Sequence, residues 1–425
     1  MAEDNVNKKA GMPGSILRRR PLIITGIEEA ATGYILANGA YLLGDLLRGK
    51  KKIKSIADSE ALNYTPFTSI IIPVYNEPAK VVQKTIDSMA SQDYPGYEIL
   101  IADDSTKPNT YFLPDNCKVI YRYDRDGFKG GALRNAFGYI DKRSELVAIF
   151  DADFTVDKDA LRHFAAHFKD PNVGAVQGYM KISANEDRNG LTKFLSVSSA
   201  ASNYILYGRY IRKGFVCVQG TNEVYRKEAI ESIGGIAPYT TVNEDLDTSF
   251  RLKLDGWKIV YDPKIVGVGL APEKYKDFAG QLFRWTSSTI REYRRHIVKF
   301  MKSEKIALSE KIDSLLFLST WTISTVVTPS LFLAPYEIMK RSIPDALPLS
   351  ILMTAAPVIT IFSVVNLKSN IKTALKAVEM YFWLLLPGFF VSFSAAAHGL
   401  VSDGKFNVTE KESQEYQSSK ELDKN

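Results

Sequence analysis

The 425-residue sequence contains two cysteines, Cys117 and Cys217, too few for a disulfide framework. Its first twenty residues are polar and basic and lack the compact apolar core of a secretory signal peptide. No stretch combines a basic patch with regular aromatic spacing, so no nucleic-acid partner is expected. The basic clusters Arg18–Arg20 and Lys50–Lys52 instead flank an apolar segment, a pattern that suits anionic lipid head groups.

Charged residues are also absent from two long stretches, residues 314–336 and 346–367. Each stretch is long enough to span a bilayer, and the short connection between them predicts a transmembrane hairpin. A third apolar stretch, residues 380–402, has a Pro-Gly pair in its middle, which predicts a helix that is broken there. Residues 21–47 are apolar but interrupted by acidic side chains, so crossing the membrane and lying on its surface both remain open.

The central part of the chain alternates short apolar runs with amphipathic stretches. This alternation predicts an α/β domain with a mostly parallel sheet and helices on both faces. The predicted strands are Thr68–Val74, Glu98–Ala102, Cys117–Tyr121, Leu146–Phe150 and Val173–Val176, and the predicted helices are Ala79–Ser91, Gly130–Ile140 and Lys158–Phe168. The expected divisions are a disordered basic segment 1–20, a membrane segment and linker 21–64, the α/β domain 65–298, a helical membrane region 299–402, a loop 403–412 and a disordered tail 413–425.

Asp151 and Asp153 follow the most apolar predicted strand. Side chains two residues apart on a strand share one side, and ligands of open α/β sheets bind at the carboxyl ends of strands. A divalent cation, completed by substrate phosphates, would relieve the repulsion between two such carboxylates. The alternative is that Asp153 caps the following helix and Asp151 only ends the strand. The pair alone does not decide between them.

A later motif, Gln281–Trp285, carries an amide, a guanidinium and an indole. On a helix, Gln281, Arg284 and Trp285 share one face. The planar fork of arginine suits phosphate oxygens, and tryptophan offers a flat apolar platform to a sugar ring. The alternative is a buried tryptophan beside an arginine that reaches lipid head groups.

In their order along the chain, the polar motifs resemble those of the processive family-2 glycosyltransferases, which are the cellulose, mannan, chitin and hyaluronan synthases. The resemblance covers about residues 67–295, and the cellulose and mannan types look closest. It rests on Ser69–Glu77, Asp103-Asp104-Ser105, Lys129–Ala136, Asp151-Ala152-Asp153, Glu244-Asp245 and Gln281–Trp285. It implies a GT-A fold and an inverting transfer from a nucleotide sugar, with a UDP-sugar as the expected donor.

The resemblance also implies roles for single residues. Asp153 and Asp151 would hold Mg²⁺ or Mn²⁺, and Asp245 would be the general base. The expected nucleotide-sugar contacts are Tyr75, Glu77, Asp103, Asp104, Lys129, Asp151, Gln281 and Arg284; the expected acceptor contacts are Trp285, Glu244 and the loop Gly220, Thr221 and Asn222, after a predicted strand Phe215–Val218. Other interpretations make Tyr75 a core residue, Lys129 a solvated residue and Asp247 a favourable charge at a helix start.

Near the C-terminus, Phe406-Asn407-Val408-Thr409-Glu410-Lys411 resembles the gating loop Phe-X-Val-Thr-X-Lys of cellulose synthases. This likeness implies that residues 403–412 close over the nucleotide, with Phe406, Val408, Thr409 and Lys411 as the matching positions. It also implies that residues 380–402 form an interfacial helix before the loop. Asn407-Val408-Thr409 is also an N-glycosylation triplet, which would require the opposite side of the membrane. Phe406 and Lys411 favour the gating interpretation.

The sequence therefore predicts a multi-pass enzyme of the cell (plasma) membrane with a cytoplasmic catalytic domain. It would contact membrane lipid and add sugars to the non-reducing end of a growing glycan. The predicted spans are few for a polymer channel, so a homo-oligomer would have to supply further walls. An alternative is the addition of one or a few sugars to a lipid-linked acceptor. A non-catalytic nucleotide sensor is a third hypothesis, against which the presence of Asp151, Asp153 and Asp245 argues.

Overall fold

A computed structural model describes residues 39–51, 59–237, 242–318, 320–322, 361, 365 and 367–401. Eight strands form one sheet in the order β3-β2-β1-β4-β7-β6-β8-β5. They are β1 Thr68–Val74, β2 Tyr97–Asp103, β3 Cys117–Tyr121, β4 Leu146–Ile149, β5 Thr155–Val156, β6 Val173–Ile182, β7 Glu223–Arg226 and β8 Lys258–Gly269. Strands β1 to β4 pair in parallel, as do β6 and β8, whereas β7 and β5 run antiparallel to their neighbours. The predicted α/β class with a mostly parallel sheet is confirmed.

Helices cover both faces of this sheet and continue beyond it. They are α1 (residues 39–51), α2 Ala79–Ala90, α3 Phe128–Phe137, α4 Ala160–His167, α5 Gly190–Ile211, α6 Lys227–Ser232, α7 Glu244–Asp255, α8 Tyr275–Lys302, α9 (residues 308–318) and α10 Leu367–Val401. Helix α3 starts two residues before its predicted start, so Gly131 lies within its first turns. A β-carbon on Gly131 would lie 1.8 Å from the Asp126 carbonyl oxygen, so glycine is required for this tight helix start.

Alternating side chains of the central strands divide between two cores. Ile70 and Ile72 of β1 pack in one core with Phe164 of α4. Ile71 lies in the other core with Leu133 of α3. This period of two with both faces buried is what a parallel sheet between helix layers requires. The sheet is therefore a rigid support for the loops at its edge.

Two expectations about local structure are wrong. The predicted strand at residues 215–218 joins no ladder, because its backbone amides bind side chains instead, such as Val218 N–H to the Ser249 hydroxyl at 3.0 Å. The predicted break at the Pro-Gly pair of the third apolar stretch does not occur. Helix α10 starts earlier, at Leu367, and continues through Pro387, whose ring lies on the exposed side of the helix.

Helices α7, α8 and α10 pack together beside the sheet. The Phe250 ring meets Tyr293 edge-on, with centroids 5.0 Å apart, which seats α7 on α8. A β-carbon on Gly399 would lie 2.6 Å from the Ser287 carbonyl oxygen, so the backbones of α10 and α8 nearly touch. Helix α8 is therefore held from two sides.

The predicted membrane elements are only partly within the described ranges. Among the described helices, none combines the length and apolar composition needed to cross a bilayer. Most of the predicted hairpin, residues 314–336 and 346–367, lies outside the described residues, as do the whole gating loop 403–412 and both predicted disordered ends.

Within the predicted N-terminal membrane segment, residues 39–51 form α1. Its Asp45 is only 1% exposed, with an Oδ2 atom 3.0 Å from Arg212 Nη2. Arg212 Nη2 also lies 2.5 Å from Asp313 Oδ1. Asp45, one of the acidic residues that interrupt the apolar stretch, thus belongs to a buried ion cluster that joins α1, the end of α5 and α9.

Candidate active site

Four chain connections meet at one edge of the sheet. The register pairs Val74 with Asp103 at the ends of β1 and β2. Because β7 is antiparallel to β4, the end of one lies beside the start of the other, with Ile149 opposite Glu223. The loops after β1, β2 and β4 therefore border the loop before β7, and this crevice is where open α/β sheets bind ligands.

The loops after β1 and β2 are bonded to each other. Asn76, in the left-handed region with φ 59°, donates its backbone N–H to the Ser105 hydroxyl at 2.8 Å and accepts from Thr106 N–H at 3.0 Å. Ser105 N–H in turn donates to Asp103 Oδ1 at 2.8 Å. The other carboxylate oxygen of Asp103 is buried and has no hydrogen-bond partner among the described residues. Asp103 thus keeps one acceptor atom for a ligand.

Other predicted nucleotide contacts in this region have protein partners. The Arg125 guanidinium lies 3.2 Å above the centre of the Tyr75 ring, a cation–π contact. Tyr75 N–H donates to Glu77 Oε2 at 2.5 Å. Arg122 binds both oxygens of Asp104, at 2.9 and 2.5 Å. Tyr75 is only half-buried, so it is not a core residue, whereas Asp104 anchors the loop that carries Arg125.

Lys129 joins two sides of the crevice. Its Nζ donates to Asp151 Oδ1 at 2.7 Å and to the Gly220 carbonyl oxygen at 2.6 Å, and lies 3.6 Å from Glu244 Oε1. Burial lowers the pKa of Lys129, but Asp151 and Glu244 outweigh burial and raise it above its ordinary value. The lysine is therefore a fixed positive charge between the loop after β4 and the start of α7, and not a solvated residue.

Asp151 and Asp153 lie in the turn after β4, because the strand ends at Ile149, earlier than expected. Asp153 is buried and accepts from Leu270 N–H at 3.2 Å, while Asp151 pairs with Lys129. The alternative in which Asp153 caps the next helix is wrong, since α4 is preceded by Asp159. Two carboxylates at the edge of the sheet form an oxygen donor set that fits Mg²⁺ or Mn²⁺.

Asp245 lies in the first turn of α7, the position expected of it. Burial, and then the neighbouring Glu244 carboxylate, raise the pKa of Asp245 to about 7, while Lys129 acts in the opposite direction. A β-carbon on Gly220 would lie 3.2 Å from Asp245 Oδ2. A carboxylate with a pKa near neutrality beside an open crevice is suited to remove a proton.

The loop before β7 is shaped by Glu223, a residue that the sequence analysis missed. Its Oε2 accepts from Gly220 N–H at 2.8 Å and from Gln219 N–H at 3.1 Å, and its Oε1 accepts from the Tyr225 hydroxyl at 2.8 Å. Burial, with a contribution from Asp245, raises the pKa of Glu223 to about 8. The available signal was an acidic residue directly after Gly-Thr-Asn and before Val224-Tyr225.

The three predicted acceptor residues of this loop differ in position. Gly220, with φ 86°, faces Lys129 and Asp245. The Thr221 hydroxyl accepts from Asp151 N–H at 2.8 Å. Asn222 is fully buried, and its amide donates to the carbonyl oxygens of Tyr179 and Ile265, both at 3.0 Å. Asn222 therefore supports the loop from beneath.

Helix α8 carries Gln281, Arg284 and Trp285, and it brings Arg284 to the same region. Burial lowers the pKa of Arg284, whereas Glu244, Asp151 and Asp245 raise it, so its guanidinium lies within the field of these carboxylates. The Trp285 side chain is 41% exposed, which excludes the alternative of a buried tryptophan. One face of α8 thus carries a cation and an accessible aromatic surface.

Comparison with known proteins identifies this domain. Residues 69–234 match the family described as Glycosyl transferase family 2, so this part of the chain is a family-2 glycosyltransferase domain with a GT-A-like fold. The expected family-2 glycosyltransferase domain is thereby confirmed, while the processive, cellulose synthase-like type stays a prediction.

Proteins similar to this chain include a lipid glycosyltransferase and a mannosyltransferase of known structure. A beta-monoglucosyldiacylglycerol synthase of Synechocystis sp. is 28% identical in an alignment of 310 positions that covers 69% of this chain and 62% of that protein. The chain thus spans less than two thirds of that relative. The structure of a mannosyltransferase from Pyrobaculum calidifontis, in complex with GDP-Man and Mn²⁺, has a TM-score of 0.57 at 18% identity, covering 87% of this chain and 99% of that one.

Proposed function

We propose that the protein transfers a hexose from a nucleoside diphosphate sugar to a hydroxyl group of a membrane lipid or glycolipid, with inversion at the sugar. The observation that carries this proposal is the position of Asp245. A carboxylate with a pKa of about 7 adjoins the Lys129–Asp151 pair, so a base for the acceptor lies next to the place where the donor diphosphate fits.

The residues divide the reaction between them. Asp245 takes the proton of the acceptor hydroxyl as that oxygen attacks the anomeric carbon. Arg284 and Lys129 offset the negative charge that grows on the departing diphosphate. Mg²⁺ or Mn²⁺ held by Asp151 and Asp153 would supply further charge neutralisation there. The Mn²⁺ bound by the mannosyltransferase of similar fold supports this metal requirement.

Asp103 supports a UDP-sugar as the donor. Its one available oxygen accepts a single N–H, which matches the single imide N–H of uracil. Guanine offers two adjacent N–H groups on the same edge, and these need two acceptor atoms. A uridine nucleotide is therefore the better chemical fit.

A lipid acceptor is supported by two observations. The relative from Synechocystis is named as a glucosyldiacylglycerol synthase. Helix α10 packs along α8, with the His398 and Phe283 rings 5.4 Å apart. It exposes large apolar side chains, among them Trp383, which is 73% exposed, and Phe382 and Leu400. We propose that this helix lies on the cell membrane with the catalytic domain on the cytoplasmic side.

Synthesis of a longer glycan is the second candidate. It is favoured by the motif Gln281–Trp285, whose Gln281, Arg284 and Trp285 share one face of α8. This motif resembles that of the polymer-forming family-2 synthases. In that case a homo-oligomer would supply walls for the growing chain. The two candidates share donor, base and metal and differ in the product.

Product analysis separates these candidates. Membranes containing the full chain are incubated with radiolabelled UDP-glucose, UDP-galactose, UDP-N-acetylglucosamine or GDP-mannose, each with Mn²⁺ or Mg²⁺. We expect label from one UDP-sugar in the lipid extract, and none with Asp245→Asn. Label in material that size exclusion shows to be polymeric supports the second candidate. Absence of transfer from every donor, with nucleotide binding retained, would overturn both in favour of a nucleotide sensor.

A further inference from the structure

Behind the reaction edge, helices α7 and α8 are joined by a buried ion network. His296 Nε2 lies 2.7 Å from Asp247 Oδ1 and 3.8 Å from Glu292 Oε2. Arg251 Nε donates to Asp247 Oδ2 at 2.8 Å, and Arg295 Nη1 donates to both oxygens of Glu292 at 2.8 and 3.0 Å. We call these five residues the α7–α8 network.

The network is built as a tie between helices. Asp247 and Glu292 are fully buried, and the Phe250 ring stacks on His296 with centroids 5.3 Å apart. Arg251 also donates to the carbonyl oxygens of Ile233 and Gly235, at 2.9 and 2.8 Å, and so extends the network to the chain before α7. Asp247 is thus more than a favourable charge at a helix start.

A metal ion is a poorer explanation for this cluster. One ligand atom from each of Asp247, Glu292 and His296 lies within 4.8 Å of the others. However, two guanidinium groups already bind these carboxylates and supply the compensating positive charge. An added divalent cation would have to displace or repel them. The arrangement is therefore that of an ion-pair network.

The position of the network relates it to the reaction. Asp247 lies in the same helical turn as Asp245, whereas His296 lies on the helix that carries Arg284 and Trp285. The distance between the base and the phosphate-binding arginine depends on how α7 sits on α8. Displacement of a catalytic group by about 1 Å can cost about 100-fold in rate.

We propose that His296 and Asp247 are positioning residues that fix the general base Asp245 relative to Arg284 and Trp285. The proposal rests on the proposed function for its catalytic meaning. Neither residue touches the reacting atoms. Their effect is therefore on turnover, while binding of the donor nucleotide at the loops after β1 and β2 is left unchanged.

The test compares two buried histidine–aspartate pairs. His296→Leu removes the tie, and His296→Gln keeps one N–H donor for Asp247. His167→Leu is the matched control, since His167 Nε2 lies 2.9 Å from Asp262 Oδ2 in an equally buried pair between α4 and β8. We expect kcat to fall about 10- to 100-fold in His296→Leu, with the Kd for UDP unchanged and with partial recovery in His296→Gln. His167→Leu should lower the Tm similarly without a comparable loss of kcat.

A second measurement does not depend on turnover. Hydrogen exchange of the amides in residues 244–250 should become faster in His296→Leu and stay unchanged in His167→Leu. Unchanged exchange in His296→Leu, or an equal loss of kcat in both variants, would overturn the positioning role. If exchange is faster in His296→Leu but the wild type transfers no sugar, the link between α7 and α8 is supported and the proposed function is wrong.

Discussion

Replacing Lys129 by methionine tests the electrostatics of the site most directly. A β-carbon on Gly220 would lie 3.4 Å from Lys129 Nζ and 3.2 Å from Asp245 Oδ2. Lys129 Nζ and Asp245 Oδ2 are therefore within about 7 Å of each other. At this distance and an effective dielectric constant of about 20, two unit charges interact by about 2 kcal/mol. Since one pKa unit corresponds to about 1.4 kcal/mol, loss of the ammonium group should raise the pKa of Asp245. Water that fills the vacated space reduces the shift to about one unit.

The direction in which the pH profile moves follows from the role of Asp245 as the base. Asp245 must be deprotonated to accept a proton, so kcat/KM for the acceptor rises with pH up to its pKa of about 7 and is level above it. In Lys129→Met the rising limb should move upward by about one pH unit. The assay is kcat/KM for the acceptor between pH 5.5 and 9 at saturating donor, so that weaker donor binding does not distort the profile.

Lys193→Met provides the control for this experiment. Lys193 is 17% exposed against 24% for Lys129 and pairs with Asp187 at 2.5 Å, but it lies on α5 away from the crevice. Its profile should match that of the wild type. A midpoint that stays the same in Lys129→Met, or moves to lower pH, would refute both the assignment of Asp245 as base and the influence of Lys129 on it.

Two further predictions concern buried carboxylates. Asp245→Asn should abolish transfer and raise the Tm. The pKa of Asp245 is about 7 in the folded protein against an ordinary 3.8, so the wild type loses stability as the pH rises from 3.8 to 7. Scanning calorimetry should therefore show a larger Tm difference between variant and wild type at pH 8 than at pH 5. Glu223→Gln should stay close to wild type at pH 7, because the pKa of about 8 keeps Glu223 mostly protonated, whereas Glu223→Leu strands the Gly220 N–H and should cost about 1–3 kcal/mol in urea unfolding.

The first four strands were predictable because each is an apolar run between turn residues, and the structure shifts their bounds by one or two residues at most. Strand β6 was predicted too short, since it continues to Ile182 through mixed polar residues that pair with β8. Strand β7 was missed, because four residues with a buried Glu223 carry little periodicity.

Within the site, the family resemblance indicated Asp245 as the candidate base, and helical spacing indicated the face of α8 that carries Trp285. It did not show where the strand before Asp151 ends, because Phe150 is as apolar as the strand itself. The tie between Asp247 and His296 was also invisible, since it joins residues far apart in the chain and depends on how two helices pack. Local sequence pattern thus indicated candidate reacting groups, and tertiary packing decided their hydrogen-bond and ion-pair partners.

The reversed strand β7 has a consequence for how the protein folds. Strands β1 to β4 pair only with one another and with β7, so this half of the sheet forms from segments that follow one another closely in the chain. Strand β7 must enter between β4 and β6, opposite a strand that ended more than seventy residues earlier. Such long-range pairing is slow because the intervening loop must close first. We therefore expect the pairing of β7, and with it the loop that carries Gly220, to form late in folding.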